Sequence, residues 1–96
     1  MRFNADFAAD KLALAAQALG VNTAGLDDRA AALAAADAVE TLMKNSKHPL
    51  RLRDVGLKEE DLGICAFHAM GDAASLFNAR PVGDPQEVLN LYLEAY

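Results

Sequence analysis

Cys65 and His68 are the two side chains whose types and spacing could do chemistry. They form C-x-x-H within LKEEDLGICAFHAMGDA, whose apolar residues follow helical spacing, so both could lie on one helix face. Such a pair could bind a metal together with His48 from a loop, or act as nucleophile and base. A half-buried thiol beside a partly exposed histidine is the simpler interpretation, because no glycine-rich turn exposes the thiol. We predict no catalytic residue and no metal ligand here.

Other charged residues near this pair have two interpretations each. The acidic run Glu59–Asp61 could supply paired carboxylates, but acids in a first helical turn are normally placed there by the helix dipole. Arg51 and Arg53 could bind a carboxylate or phosphate. Alternatively, they hold their turn against Asp54 or against a neighbouring helix end.

The composition excludes several classes of function. The six glycines are dispersed, so no phosphate-binding loop and no cofactor-binding residue is predicted. The formal charge is −5, and only a loose basic cluster runs from Lys44 to Arg53, which argues against nucleic-acid binding. One cysteine fits a reducing compartment. With no run of about twenty apolar residues and no signal pattern, we expect a cytoplasmic chain without membrane contact.

Two helices are predicted in the first half of the chain. Asn4 is expected to cap the first and Gly20 to end it. Its predicted buried stripe consists of Phe7, Ala8, Leu12, Leu14, Ala15, Ala18 and Leu19. The second should begin between Thr23 and Asp28 and end at Asn45-Ser46. Its apolar residues at helical spacing are Leu33, Ala36, Val39, Leu42 and Met43, and its many alanines indicate that neighbouring helices approach closely.

Two more helices follow the break at His48-Pro49. The third carries Cys65 and has an apolar face of Leu62, Cys65, Ala66, Ala69 and Met70. The stretch ASLFNARPVG is predicted to be a loop. Asp84 should cap the last helix, with Pro85 in its first position and Glu87 completing a capping box. The apolar side of this helix is predicted to be Val88, Leu89, Tyr92, Leu93 and Tyr96.

These patterns predict an all-α fold, with about four helices in a small bundle. Residues 1–96 would form a single helical domain or part of one.

Four stretches, taken in order, resemble the C-terminal part of the iron-containing (group III) alcohol dehydrogenases. MRFN, at positions 1–4, is similar to the segment that follows the family's last metal-binding histidine, and LAAQALG to the helix end after it. LRLRDVGLKEEDL, at positions 50–62, is the most specific match. NARPVGDPQEVLNLYLEAY is similar to the family's terminal segment. Ala79 departs from the proline usual in the family, and Ala74 stands where some members carry a cysteine close to the substrate cleft.

The resemblance implies the end of that family's helical domain. In the family, an N-terminal domain binds NAD(P), and one aspartate and three histidines upstream of the matched segment bind iron or zinc. His48 and His68 do not correspond to these ligands. The resemblance therefore implies that this chain binds no cofactor and is not catalytic alone.

Three residues are candidates to line the cleft of a complete enzyme: Phe77, Asn78 and Arg80. The alternative is that they anchor their loop, with Asn78 bonding backbone groups and Arg80 pairing with an acid such as Asp72 or Asp54.

Whether the chain is an enzyme is left open, and three functions are considered. It could be an inert dehydrogenase fragment. It could be a stand-alone module that forms a homo-oligomer or docks on a partner, because helices built to cover the rest of a domain expose apolar faces. It could also be one half of a split enzyme that joins a separate N-terminal dehydrogenase portion.

Overall fold

The structure, a computed structural model, describes all 96 residues; its regular elements are all helices and none is a strand, which confirms the all-α prediction. The α-helices are α1 (Ala9–Ala18), α2 (Asp28–Asn45), α3 (Leu62–Met70), α4 (Ala73–Leu76) and α5 (Pro85–Ala95). Short 3-10 helices span Arg2–Asn4, Leu52–Val55 and Glu59–Asp61. None of the helices is long and apolar enough to cross a membrane.

The chain divides into two compact units, an N-terminal unit (Met1–His48) and a C-terminal unit (Pro49–Tyr96). The N-terminal unit contains α1 and α2, and the C-terminal unit contains α3, α4 and α5. That the 96 residues form one domain or part of one stays a prediction.

In the N-terminal unit, α1 packs against α2 through alanines. The buried residues of the unit are Ala5, Ala13, Ala16, Ala31, Ala32, Ala35 and Ala36. Because a methyl side chain adds little bulk, the two helix backbones can approach closely along this contact.

The predicted stripe of α1 is wrong in part. Ala13 and Ala16 are its buried residues, whereas Phe7, Leu14, Leu19 and Ala18 are exposed. Because α2 contacts α1 through alanines, the residues of α1 that fit against it are also small. Leu14 follows the buried Ala13 by one residue, a rotation of about 100° around the helix, so it lies away from the contact.

The start of α1 also differs from the prediction. The backbone oxygen of Asn4 accepts hydrogen bonds from the amides of Phe7 and Ala8, at 3.0 Å each, which forms a separate turn. Ala8 then takes the N-cap position, and α1 begins at Ala9. The N-cap of α2 is Asp27, whose carboxylate accepts a 2.7 Å hydrogen bond from the Ala30 amide. This position lies within the predicted range.

Both long helices of this unit end in a Schellman motif, a C-terminal turn that is closed by two backbone hydrogen bonds. The bonds that close these ends run from Gly20 N to Gln17 O, Val21 N to Ala16 O, Lys47 N to Lys44 O and His48 N to Met43 O. The turn requires a left-handed residue, and Gly20 (φ 78°) supplies it after α1, as predicted. Lys47 takes the same position after α2 with φ 55°, a conformation in which a side chain is strained.

Ion pairs link the start of the chain to the outer side of α2. Arg2 pairs with Asp37 and with Glu40, and Lys44 pairs with Glu40 at 2.7 Å. Hydrogen bonds from Lys44 and then Arg2 lower the pKa of Glu40, and the hydrogen bond to Asp37 is the main cause that raises the pKa of Arg2.

In the C-terminal unit, α3 packs against α5. Leu62 and Ala66 are its only buried residues, and Cys65, Ala69 and Met70 are half-buried beside them, so the predicted face of α3 is confirmed. On α5 the half-buried apolar residues are Val88, Leu89, Leu91, Tyr92 and Ala95. Tyr96, just after the helix, is half-buried as predicted, whereas Leu93 is exposed.

The turn before α3 is fastened to the end of α5. Asp54 accepts a hydrogen bond from the Arg51 amide at 3.2 Å, and the Arg51 guanidinium donates to the carbonyl oxygen of Glu94 at 2.8 Å. The last carbonyls of a helix lack partners within the helix, so a cation there is stabilising. Arg51 therefore holds its turn together with Asp54 and against the end of α5, as the structural interpretation of this residue proposed.

Candidate functional site

The loop between α4 and α5 carries the three candidate cleft residues, and two of them fasten it to α5. Asn78 Nδ2 donates to the carbonyl oxygen of Arg80 at 2.7 Å. The Arg80 guanidinium in turn donates to Glu87 Oε1 at 2.7 Å, in the first turn of α5. These contacts fit the loop-anchoring interpretation, while a role in lining a cleft stays a prediction.

Arg80 pairs with an acid, as the loop-anchoring interpretation expected. The acid is Glu87. Glu87 was predicted to complete a capping box; instead its carboxylate accepts from Arg80, because a bond to a charged guanidinium is stronger than one to a backbone amide. Asp84 does cap α5, accepting from the Gln86 amide at 2.8 Å, and Pro85 occupies the first turn as predicted.

Phe77, the third candidate, is 87% exposed. It follows α4, a helix that forms within the predicted loop because the Asp72 carboxylate accepts from the Ala74 amide at 2.8 Å. The Ser75 hydroxyl also donates to the carbonyl oxygen of Ala69 at 2.7 Å, which ties α4 to the end of α3. A turn held at both ends thus presents Phe77, and Leu76 before it, to solvent.

The outer face of α3, meaning the side that carries Ile64 and Phe67, is a second apolar surface. Phe67 is 65% exposed and Ile64 is 53% exposed. The His68 ring contacts Phe67 edge-on, with centroids 6.0 Å apart. Beside Phe67 lies an open depression of about 540 Å³, lined by Phe67, His68, Met70, Gly71 and Asp72.

Sequence reasoning missed this outer face because it assigned one apolar face to each helix. The signal that could have found it is the run from Leu62 to Met70, which contains no Asp, Glu, Lys or Arg. A helix without charged residues is normally buried, rather than exposed along one side.

The other chemical candidates are not brought together. Cys65 is half-buried on the packed face of α3, whereas His68 is exposed. No group of three His, Cys, Asp or Glu side chains that could hold a metal ion occurs among the 96 residues. The acidic run Glu59–Asp61 forms an exposed 3-10 turn directly ahead of α3, a placement that suits the helix dipole.

Comparisons with known proteins all point to one family. The C-terminal segment of the Fe-containing alcohol dehydrogenase family matches residues 1–96. Lactaldehyde reductase of Escherichia coli K12 is 34% identical over the whole chain, which covers 25% of that protein. The NAD-dependent methanol dehydrogenase of Bacillus methanolicus is 33% identical over 97% of the chain and 24% of that protein.

A solved structure agrees with the sequence matches. The crystal structure of a 1,3-propanediol oxidoreductase superposes with a TM-score of 0.92 and 33% identity, covering 99% of this chain and 25% of the other. The chain thus spans about a quarter of the length of the relatives that it matches. From its match over all 96 residues in sequence and over 99% of the chain in backbone, the chain belongs to the Fe-containing alcohol dehydrogenase family, of which it represents the C-terminal helical segment.

Proposed function

We propose that this chain is the C-terminal helical part of an NAD(P)-dependent, metal-containing alcohol dehydrogenase and is not catalytic by itself. The observation that carries the proposal is the match of all 96 residues to only a quarter of each relative. The chain's role would be structural: it completes the helical domain and supplies part of the cleft wall.

The residues of this chain do not fit the iron in the family's name. No three suitable ligands lie together, and Cys65 faces the packed side of its helix. Glycines with positive φ occur singly, at Gly20, Gly25 and Gly56, so no stretch of backbone forms a phosphate cradle. We propose that iron or zinc and NAD(P) are bound by the preceding part of the enzyme, and we assign no chemical step to this chain.

The proposed substrate class is a small alcohol or aldehyde. The relatives' names refer to lactaldehyde, 1,3-propanediol and methanol, all of which are small. Phe77 is the residue proposed to contribute an apolar wall to the cleft. Asn78 and Arg80 would position it, since their hydrogen bonds fix the loop that follows it.

The test is a fusion that places this chain after the N-terminal three quarters of E. coli lactaldehyde reductase. With iron and NADH, the fusion should reduce lactaldehyde faster than the truncated reductase alone, and the isolated chain should show no activity. Turnover by the isolated chain would contradict the proposal. So would a fusion that is no more active than the truncated reductase.

A second candidate function is self-association into a homo-oligomer. It is favoured by the exposure of large apolar side chains in both units, Leu14 and Phe67 among them. Light scattering over a concentration series would show a defined dimer or tetramer if this is correct. In either case we propose a cytoplasmic location, where a reducing environment would keep Cys65 as a free thiol.

A further inference from the structure

We propose that the outer face of α3 is the surface on which the preceding part of the dehydrogenase chain packs, whether that part is continuous with this chain or separate from it. The inference rests on the proposed function and adds to it the docking surface and its occupant.

Helix α3 carries apolar side chains on its exposed side as well as on its packed side. Leu62 and Ala66 face α5 and are buried; at 3.6 residues per turn Ile64 lies opposite them, and Phe67 lies about 120° around the helix. Helices on a protein surface normally place charged residues on that outer side, and α3 has none anywhere along its length.

The outer face includes a depression as well as exposed apolar side chains. The depression beside Phe67 offers about 540 Å³, and its wall includes the half-buried Met70. A bulky apolar side chain from a partner could enter it, as anchor residues do at the centre of protein interfaces. An adaptable methionine in the wall would help such a side chain to fit.

The relatives indicate which occupant fits this face. The chain matches their C-terminal segment and covers a quarter of their length, so in those relatives about three quarters of the chain precedes the matched segment. The same backbone occurs inside one such longer chain, with a TM-score of 0.92. A second copy of this chain is a poorer occupant, since each copy carries a formal charge of −5 and the two would repel.

The experiment measures binding rather than turnover. The purified chain is titrated by calorimetry into the separately produced N-terminal three quarters of E. coli lactaldehyde reductase. F67E is compared with V55E, a matched control in which an equally exposed apolar residue (64% against 65%) outside α3 receives the same charge. Circular dichroism checks that both variants are folded, and I64E repeats the test at the other position of the face.

We expect a one-to-one complex that F67E and I64E each weaken at least about 30-fold, with V55E within about twofold of the unmodified chain. The inference is overturned if no complex forms, or if F67E and V55E bind alike. It is also overturned if the chain forms a dimer that F67E dissociates, because the occupant would then be a second copy.

The two proposals fail separately. An active fusion whose activity and assembly are unaffected by F67E would leave the proposed function standing and remove this inference. A complex that depends on Phe67, together with a fusion that shows no turnover, would support this inference and contradict the proposed function.

Discussion

The two units of this chain hold their helices together in different ways. The N-terminal unit buries seven alanines, mostly between α1 and α2, and adds ion pairs from Arg2 and Arg29 along its surface. The C-terminal unit buries only Leu62 and Ala66, and its central helix α3 is apolar on the side away from α5.

The difference indicates which of the two units is less stable by itself. The alanine contact runs along two helices and gives the N-terminal unit a close-packed interior, although large apolar side chains such as Leu14 stay exposed outside it. A single large buried side chain with an apolar outer face gives α3 little stability in isolation. We therefore regard the N-terminal unit as closer to self-sufficient and the C-terminal unit as the main docking half.

The largest effect is expected at Leu62, the largest fully buried side chain. L62A should lower the free energy of unfolding of the C-terminal unit by about 2–5 kcal/mol, because it removes buried methyl groups and leaves a cavity. I64A on the same helix is the control and should change it by less than about 0.5 kcal/mol. Urea unfolding followed by circular dichroism measures both. Equal effects would remove the distinction between the two faces of α3.

The next effect tests how tightly the alanine contact is packed. A35L should destabilise the N-terminal unit by about 1–3 kcal/mol, because Ala35 has no exposed surface and the added atoms must push α1 away. A18L makes the same change at an exposed position of α1 and should be nearly neutral. The melting temperatures of the two variants test this prediction. If A35L melted at the same temperature as the unmodified chain, the contact between α1 and α2 would be able to accommodate a larger side chain.

A smaller effect, a gain in the free energy of unfolding, is expected at the end of α2. K47G should stabilise the chain by about 0.5–1 kcal/mol, because glycine adopts the left-handed conformation that strains Lys47. K47A removes the same charge but keeps the strain, so it should bring no gain. Urea midpoints of the three proteins compare them directly. If K47A matched K47G, the charge rather than the backbone would be responsible.

The smallest effect concerns pH. Lys44 and then Arg2 lower the pKa of Glu40 in the folded chain, so its ion pairs stabilise the fold above about pH 4.5 and are lost as pH falls through the lowered pKa. E40Q should therefore reduce the loss of stability on acidification, whereas E59Q in the C-terminal unit should not. Melting temperatures measured between pH 3 and pH 7 test both expectations. An E40Q variant whose melting temperature depends on pH just as that of the unmodified chain does would contradict the prediction.

Local signals in the sequence predicted most of the elements. Asp84 and Pro85 begin α5, and Gly20 ends α1. The packed face of α3 follows from the helical spacing of Leu62, Cys65, Ala66, Ala69 and Met70. These features depend on a few neighbouring residues, so one sequence suffices to find them.

Features that depend on distant partners were predicted less well. The buried side of α1 is set by the alanines of α2, and so Leu14 is exposed although its spacing suggested burial. Glu87 pairs with Arg80 because the loop returns to α5, which the capping pattern alone does not show. At the candidate site, Phe77 and the anchoring of Asn78 were anticipated from the sequence, whereas the short helix that presents Phe77 and the exposure of the outer face of α3 were not.

The most direct test of the difference between the units is amide hydrogen exchange, resolved for each helix. In the isolated chain, we predict slower exchange in α1 and α2 than in α3 and α5, because more of the N-terminal unit is buried. Adding the N-terminal three quarters of E. coli lactaldehyde reductase should slow exchange in α3 most. Equal protection of both units in the isolated chain, or added protection confined to α1 and α2, would contradict the account.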